Sequence, residues 1–206
     1  MKKLILLVAA VLSMSVVANA QNAQVRFGLK GGLNMAGAND NPYSQVQPGF
    51  NAGVLLQIRL AGSRFAIQPE VLYSLQGEQE KFSGELIKFH LNYINIPVML
   101  QCRIVRGLDI ECGPQVGFLA SAKAKIEALT WGMGEQPKES VNVTEQMHDV
   151  YFCLGIGLAY QVPDVAFGLF TRYNLGLTDM TKKQYVGPGE IAGQNRVLQL
   201  GIFFRF

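Results

Sequence analysis

Few residues in this chain have types and spacings suited to chemistry: His148 beside Asp149, His90 and three cysteines. A histidine next to a carboxylate has the make-up of a general base. No G-x-S-x-G or comparable nucleophile motif accompanies it, however, and histidines at strand ends are ordinarily solvated. Cys102, Cys112 and Cys153 stand in no C-x-x-C or other metal-ligand spacing. Two readings fit them: a Cys102–Cys112 bond across a hairpin, which an oxidising compartment permits, or three small apolar side chains packed on a wall. Gly155-Ile156-Gly157 lies within an apolar stretch with no helix after it, so it does not make a nucleotide loop. These patterns point to no enzyme, with no catalytic residue, metal ligand or cofactor to assign.

A larger constellation is polar. Arg26, Lys30, Arg59, Glu70, Asp109, Glu111, Asp149, Arg172 and Arg205 each occupy one parity of a short stretch whose other parity is apolar. Asn, Gln and glycine fill the remaining polar-parity positions. Interleaved charges of both signs on one face can pair with one another, provided that the elements carrying them bring the faces together.

Those elements read as strands, because a period of 2 recurs along the chain and a period of 3.6 does not. VRFGLKGGLN (25–34), GFNAGVLLQIRL (49–60), RFAIQPEVLYSL (64–75), YINIPVMLQC (93–102), LDIECGPQVGFLAS (108–121), DVYFCLGIGLAYQ (149–161), VAFGLFTRYNLG (165–176) and LQLGIFFRF (198–206) make eight. Lys88, His90 and Asn92 share the apolar parity of the fourth stretch, which suggests a bulge or a strand end near them. Connections alternate in length: 35–48, 76–87, 122–146 and 178–194 are long, whereas 61–63, 103–107 and 162–164 are short. The expected fold is all-β, an eight-stranded antiparallel up-and-down transmembrane β-barrel with short turns at one end and long loops at the other.

A soluble lipocalin-like barrel that binds a small apolar ligand has the same spacing with its faces reversed. The polar parity decides between the two. Glycine at every second position would weaken the outer surface of a soluble barrel, but inside a narrow barrel it makes room for long charged side chains. Tyr73, Tyr93, Tyr160, Tyr173 and Phe206 lie near strand ends, where interfacial aromatic girdles belong. Arg26, Lys30, Arg59, Glu70, Glu111, Asp149 and Arg172 are therefore expected to form a paired polar network in the interior. That network would plug an eight-stranded lumen, so a narrow channel is a weaker reading, as is a rim-located enzyme acting on lipid or peptide.

MKKLILLVAAVLSMSVVANA, with two lysines, an apolar run and Ala18-Asn19-Ala20, reads as a cleaved signal peptide over 1–20, followed by a single barrel domain over 21–206. Removing the two leader lysines lowers the formal charge from +3 to +1, a balance that argues against nucleic acid as a partner. The expected setting is the outer membrane of a Gram-negative bacterium, as a monomer bathed in outer-membrane lipid. Trp131, in the long 122–146 connection, is a candidate for binding a surface partner, since recognition usually sits on loops carried by a rigid scaffold.

The order of FGLKGGLN (27–34), LNYINIPVMLQC (91–102), CGPQVGFLASAK (112–123), GIGLAYQ (155–161), TRYNLGLTDM (171–180) and LQLGIFFRF resembles the PorT-like outer-membrane β-barrel family. The resemblance spans nearly the whole mature chain, although the chain has Asn95 where that family often has Glu, and Gln101-Cys102 where it often has Lys and an aromatic. It implies a porin-like barrel with a structural or surface role, with assistance to secretion known for one member. A final strand ending in Phe206 matches the pattern thought to engage the barrel assembly machinery.

Overall fold

The computed structural model describes residues 23–38, 44–60, 62–82, 85–128, 139–179 and 194–206. The leader over 1–20 and Trp131 lie outside the described residues. Among the described residues nine strands follow one another: β1 (Ala23–Ala38), β2 (Ser44–Leu60), β3 (Phe65–Phe82), β4 (Glu85–Val105), β5 (Leu108–Ala128), the short β6 (Glu139–Asn142), β7 (Val150–Gln161), β8 (Phe167–Asp179) and β9 (Gln194–Arg205). A 3-10 turn, Thr144–Gln146, precedes β7.

Every pairing is antiparallel, each long strand pairs with its neighbours in the chain, and β1 closes the ring against β9. Eight strands thus form a closed antiparallel barrel, a ring without an edge strand. β6 stands outside the ring and, among the described residues, pairs with the far end of β5, Lys123 opposite Asn142 and Ile126 opposite Glu139. Short turns use left-handed backbone: Gly62 (φ 72°), Gly107 (φ 88°) and Asp164 (φ 63°), whose short polar side chain tolerates that region.

Alternation orders the wall. Phe27, Leu29, Val54, Ile67, Leu100, Ile156, Leu169, Ile202 and Phe204 are exposed on the outside, while Lys30, Gln57, Glu70, Gln101, Glu111, Arg172 and Gln199 are buried within. This is the inverse of a lipocalin, whose apolar face encloses the ligand, and the soluble small-ligand reading is thereby corrected.

The strands run further than expected at the long-loop end. Connections read as 35–48, 76–87 and 178–194 shrink to the intervals between Ala38 and Ser44, Phe82 and Glu85, and Asp179 and Gln194. β4 and β5 each have 21 residues, about twice the ~10 that cross a membrane as a tilted strand. Beyond the lipid the outer face meets water, so the apolar alternation stops while backbone pairing continues. The register of β4 against β5 shifts between Asn92 and Tyr93: Tyr93 faces Leu119 and Asn92 faces Ser121. The extra residue sits on β5, so the irregularity expected near Asn92 is an added residue in the partner strand. It turns Ala122 and Ala124 inward and Lys123 and Lys125 outward.

Candidate functional site: a filled polar lumen

The interior is stacked in layers. At mid-height, Arg172 on β8 donates to Glu70 on β3 through two parallel bonds, Nη1 to Oε2 at 2.9 Å and Nη2 to Oε1 at 2.8 Å. The same guanidinium donates from Nε to Glu111 Oε1 on β5 at 2.8 Å. Lys30 on β1 completes the group, with its Nζ 3.0 and 3.2 Å from the Glu70 oxygens and 3.9 Å from the centroid of the Phe170 ring. Two cations and two anions from four strands meet with their side chains shut off from solvent. Removing one partner from such a group leaves an uncompensated buried charge, which costs about 3–5 kcal/mol.

Amides satisfy the remaining lone pairs. Gln68 Nε2 donates to Glu70 Oε1 at 2.7 Å, Gln101 Nε2 to Glu111 Oε2 at 3.0 Å, and Gln57 Nε2 to Gln101 Oε1 at 2.6 Å. Arg205 donates to Gln68 Oε1 at 3.0 Å while its guanidinium lies 4.1 Å from the Phe203 ring centroid. Toward the short-turn end, Asp109 accepts from Arg59 at 3.0 and 3.1 Å and from Arg103 at 3.0 Å through each oxygen.

Toward the long-loop end the charges give way to amides and one phenol. The Tyr151 hydroxyl donates to Asn95 Oδ1 at 2.9 Å and accepts from Gln115 Nε2 at 2.9 Å. Asn34 Nδ2 donates to Ser74 Oγ at 2.9 Å, and Asn34 Oδ1 accepts from Asn51 and Gln199. Above Tyr151 the filling is apolar: Phe89, Leu91 and Tyr93 of β4, Ala122 and Ala124 of β5, and Cys153 pack with Val143 and Met147 from the segment beside the 3-10 turn. Tyr93 meets Tyr151 edge-on at 4.7 Å between centroids. That segment, read from the sequence as part of a 122–146 loop, is anchored by Thr144 Oγ1, which accepts from the Ala122 amide at 2.9 Å.

Glycines make this filling fit. A Cβ on Gly117 would lie 1.8 Å from the Tyr151 ring, and one on Gly168 would lie 2.1 Å from the Phe203 ring. Both pairs are directly opposite across adjacent strands. Each ring lies over bare backbone, the arrangement known as aromatic rescue of a strand glycine.

Of the seven residues expected in the interior network, Lys30, Arg59, Glu70, Glu111 and Arg172 are buried and ion-paired, although Arg59 pairs with Asp109 in a separate layer. Arg26 and Asp149 are corrected. Both are exposed: Arg26 lines a mouth of about 340 Å³ at the short-turn end with Arg103, Arg106 and Asp164, and Asp149 precedes β7 at the opposite rim. Parity placed them on the inner face but said nothing of height. Residues missed by that reading are Leu55, Leu72, Met99, Phe170 and Phe203, apolar fillers buried on the polar parity. Cys102 and Cys112 are free, set diagonally with Cys102 opposite Ile110 and Leu100 opposite Cys112, and Cys153 lies inside rather than on the wall. His148 is exposed at the outer rim, and His90 Nδ1 lies 3.1 Å from Gln47 Nε2.

A closed barrel, apolar outside and packed with paired charges inside, is the architecture of small outer-membrane proteins. The model of the outer membrane protein beta-barrel domain matches residues 19–182. The chain belongs to that family. No curated protein sequence matches it. Among solved structures, it is similar to Ail, the attachment invasion locus protein of Yersinia pestis, in complex with the heparin analogue sucrose octasulfate. The two are 16% identical over 89% of this chain and 99% of Ail, with a TM-score of 0.50. Neisserial surface protein A is 13% identical over 89% of this chain and 97% of its own, with a TM-score of 0.46. The N-terminal barrel domain of Pseudomonas aeruginosa OprF is 11% identical over 88% and 97%, with a TM-score of 0.41. At these identities the likeness is one of fold.

Proposed function

We propose that this protein is a monomeric scaffold of the outer membrane, exported through a cleaved leader over 1–20, that holds surface-exposed hairpins rigidly above the lipid. It is neither an open pore nor an enzyme. The observation that carries this reading is the Arg172–Glu70–Glu111–Lys30 group, which fills the lumen at mid-height with side chains from four strands. An eight-stranded barrel has an interior just wide enough for side chains. Activity is then left to the long-loop end, where β4 and β5 project furthest and where Trp131 lies in sequence.

Assistance to a secretion system is one form such a surface role takes, and the PorT-like order of strand motifs favours it. Phe206, exposed beside Phe204 at 5.8 Å between rings, supports the reading that the C-terminal segment engages the barrel assembly machinery. The test is conductance of the purified full-length mature protein in planar bilayers. The expected trace shows no unitary steps above background, and reproducible unitary steps would overturn the closed-scaffold reading.

A further inference from the structure

The short-turn end of the barrel carries a surplus of positive charge. Below the filled lumen a mouth of about 340 Å³ opens between β1 and the turns that join β4 to β5 and β7 to β8, with Arg26, Arg103, Arg106, Gln161 and Asp164 in its lining. Four guanidinium groups gather here, because Arg59 has Arg103 and Arg26 as like-charged neighbours. Among the described residues two carboxylate side chains answer them, Asp109 and Asp164. Asp109 is saturated: fully buried, it accepts from Arg59 Nη2 at 3.0 and 3.1 Å and from Arg103 Nε and Nη2 at 3.0 Å each, which fills the lone-pair sites of a carboxylate. Asp164 meets Arg106 at 3.1 Å, with the two side chains 82% and 78% exposed, and so solvated a pair holds weakly. Arg26 pairs with neither, nor with any other acid among the described residues.

Four cations against two anions leave the mouth two charges in surplus, and they line a concavity, where low-dielectric walls focus the field on an incoming anion. The planar fork of a guanidinium matches the geometry of a carboxylate. The space is larger than a bare oxyanion needs, and Val162, Pro163 and Val165 give it one apolar side. We propose that this mouth binds the carboxyl-terminal end of a peptide that finishes in an acidic residue, approaching from the periplasm, the side on which the short turns of such barrels lie. The two carboxylates of that end match the surplus. Arg26 receives one of them, and Arg106, released from its solvated pair with Asp164, receives the other. Binding there requires no passage through the filled lumen.

The experiment is isothermal titration calorimetry of the folded mature protein in a non-ionic detergent at low salt, with the tetrapeptide Ala-Ala-Ala-Glu, its amidated counterpart Ala-Ala-Ala-Gln, and inorganic phosphate. The expected result is saturable one-to-one binding of the free acid, none of the amide, and weaker binding of phosphate. Arg26→Gln should weaken the acid peptide about tenfold, the loss of one charge-assisted contact. Asp164→Asn should instead tighten it, because a competing carboxylate is gone and Arg106 is free, a gain that a merely structural role would not produce. Heat-modifiable gel mobility checks that each variant is folded, and Arg106→Gln, in an exposed turn, replaces Arg26→Gln if that protein fails. Equal binding of acid and amide, phosphate bound as tightly as the peptide, or no saturable binding overturns the proposal. So does undiminished binding by the folded Arg→Gln variant, or a folded Asp164→Asn protein that binds no better.

Discussion

Arg172 and Glu70 stand 102 positions apart in the chain and meet through two parallel hydrogen bonds of 2.8 and 2.9 Å in the middle of the barrel. A fork-on-fork pair of this kind fixes orientation as well as charge. It bridges the lumen between β8 and β3, strands that do not neighbour each other in the sheet. The barrel is held across its interior by this contact as well as around its circumference by backbone pairing.

Arg172→Met should therefore leave two buried anions, Glu70 and Glu111, against the single cation Lys30 and cost about 3–5 kcal/mol, read as a lower urea midpoint for unfolding from micelles. Adding Glu111→Gln in the same chain removes the stranded charge and leaves Lys30 paired with Glu70. It should recover most of the loss, because contacting residues do not act additively.

Tyr151→Phe keeps the ring over Gly117 and deletes only the hydroxyl that serves Asn95 and Gln115. Unfolding stability should fall by about 1–3 kcal/mol, the cost of leaving buried polar groups without a partner. An unchanged midpoint would mean that those amides pair equally well without it.

Gly168→Ala introduces a Cβ 2.1 Å from the Phe203 ring. Overpacking of this kind costs roughly 1–3 kcal/mol. In a Phe203→Leu background the ring is gone and the Tyr160 backbone oxygen, 2.7 Å from the added Cβ, remains, so the same substitution should cost less. Equal costs in the two backgrounds would show that the ring does not occupy the space above this glycine.

Thiol chemistry separates the faces. Cys112 is exposed on the lipid wall and Cys153 is buried under the apolar layer. A lipid-soluble maleimide should label Cys112 in the folded protein and leave Cys153 unmodified until the barrel is unfolded, as read by peptide mass. Mass under non-reducing conditions should show no disulfide between Cys102 and Cys112.

The eight barrel strands are legible in the sequence because a wall between lipid and a polar interior imposes strict alternation. Lys30, Glu70, Glu111 and Arg172 are legible as inward residues for the same reason. What alternation does not encode is height along the barrel, so Arg26 and Asp149 share that parity yet sit at opposite rims in water. It also does not mark the outer ends of β4 and β5, where the lipid that enforces the apolar rule is absent. Interior volume is the third gap: Leu55, Phe170 and Phe203 break the polar pattern because rings and branched chains are needed to fill the space beside the charges. Lys30 over Phe170 shows how cation and ring then share one layer.

Which face of the wall meets lipid distinguishes a membrane barrel from a soluble one, and tryptophan quenching tests that face directly. The chain has a single tryptophan, Trp131, so a Trp131→Phe background leaves the protein free of that signal. In it, Leu169→Trp on the outer wall and Phe170→Trp in the lumen are reconstituted into vesicles of dibrominated phosphatidylcholine. Strong quenching at position 169 with little at position 170 is the expected result. Quenching at 170 with none at 169 would mean that the strands face the other way, and would contradict the membrane barrel itself.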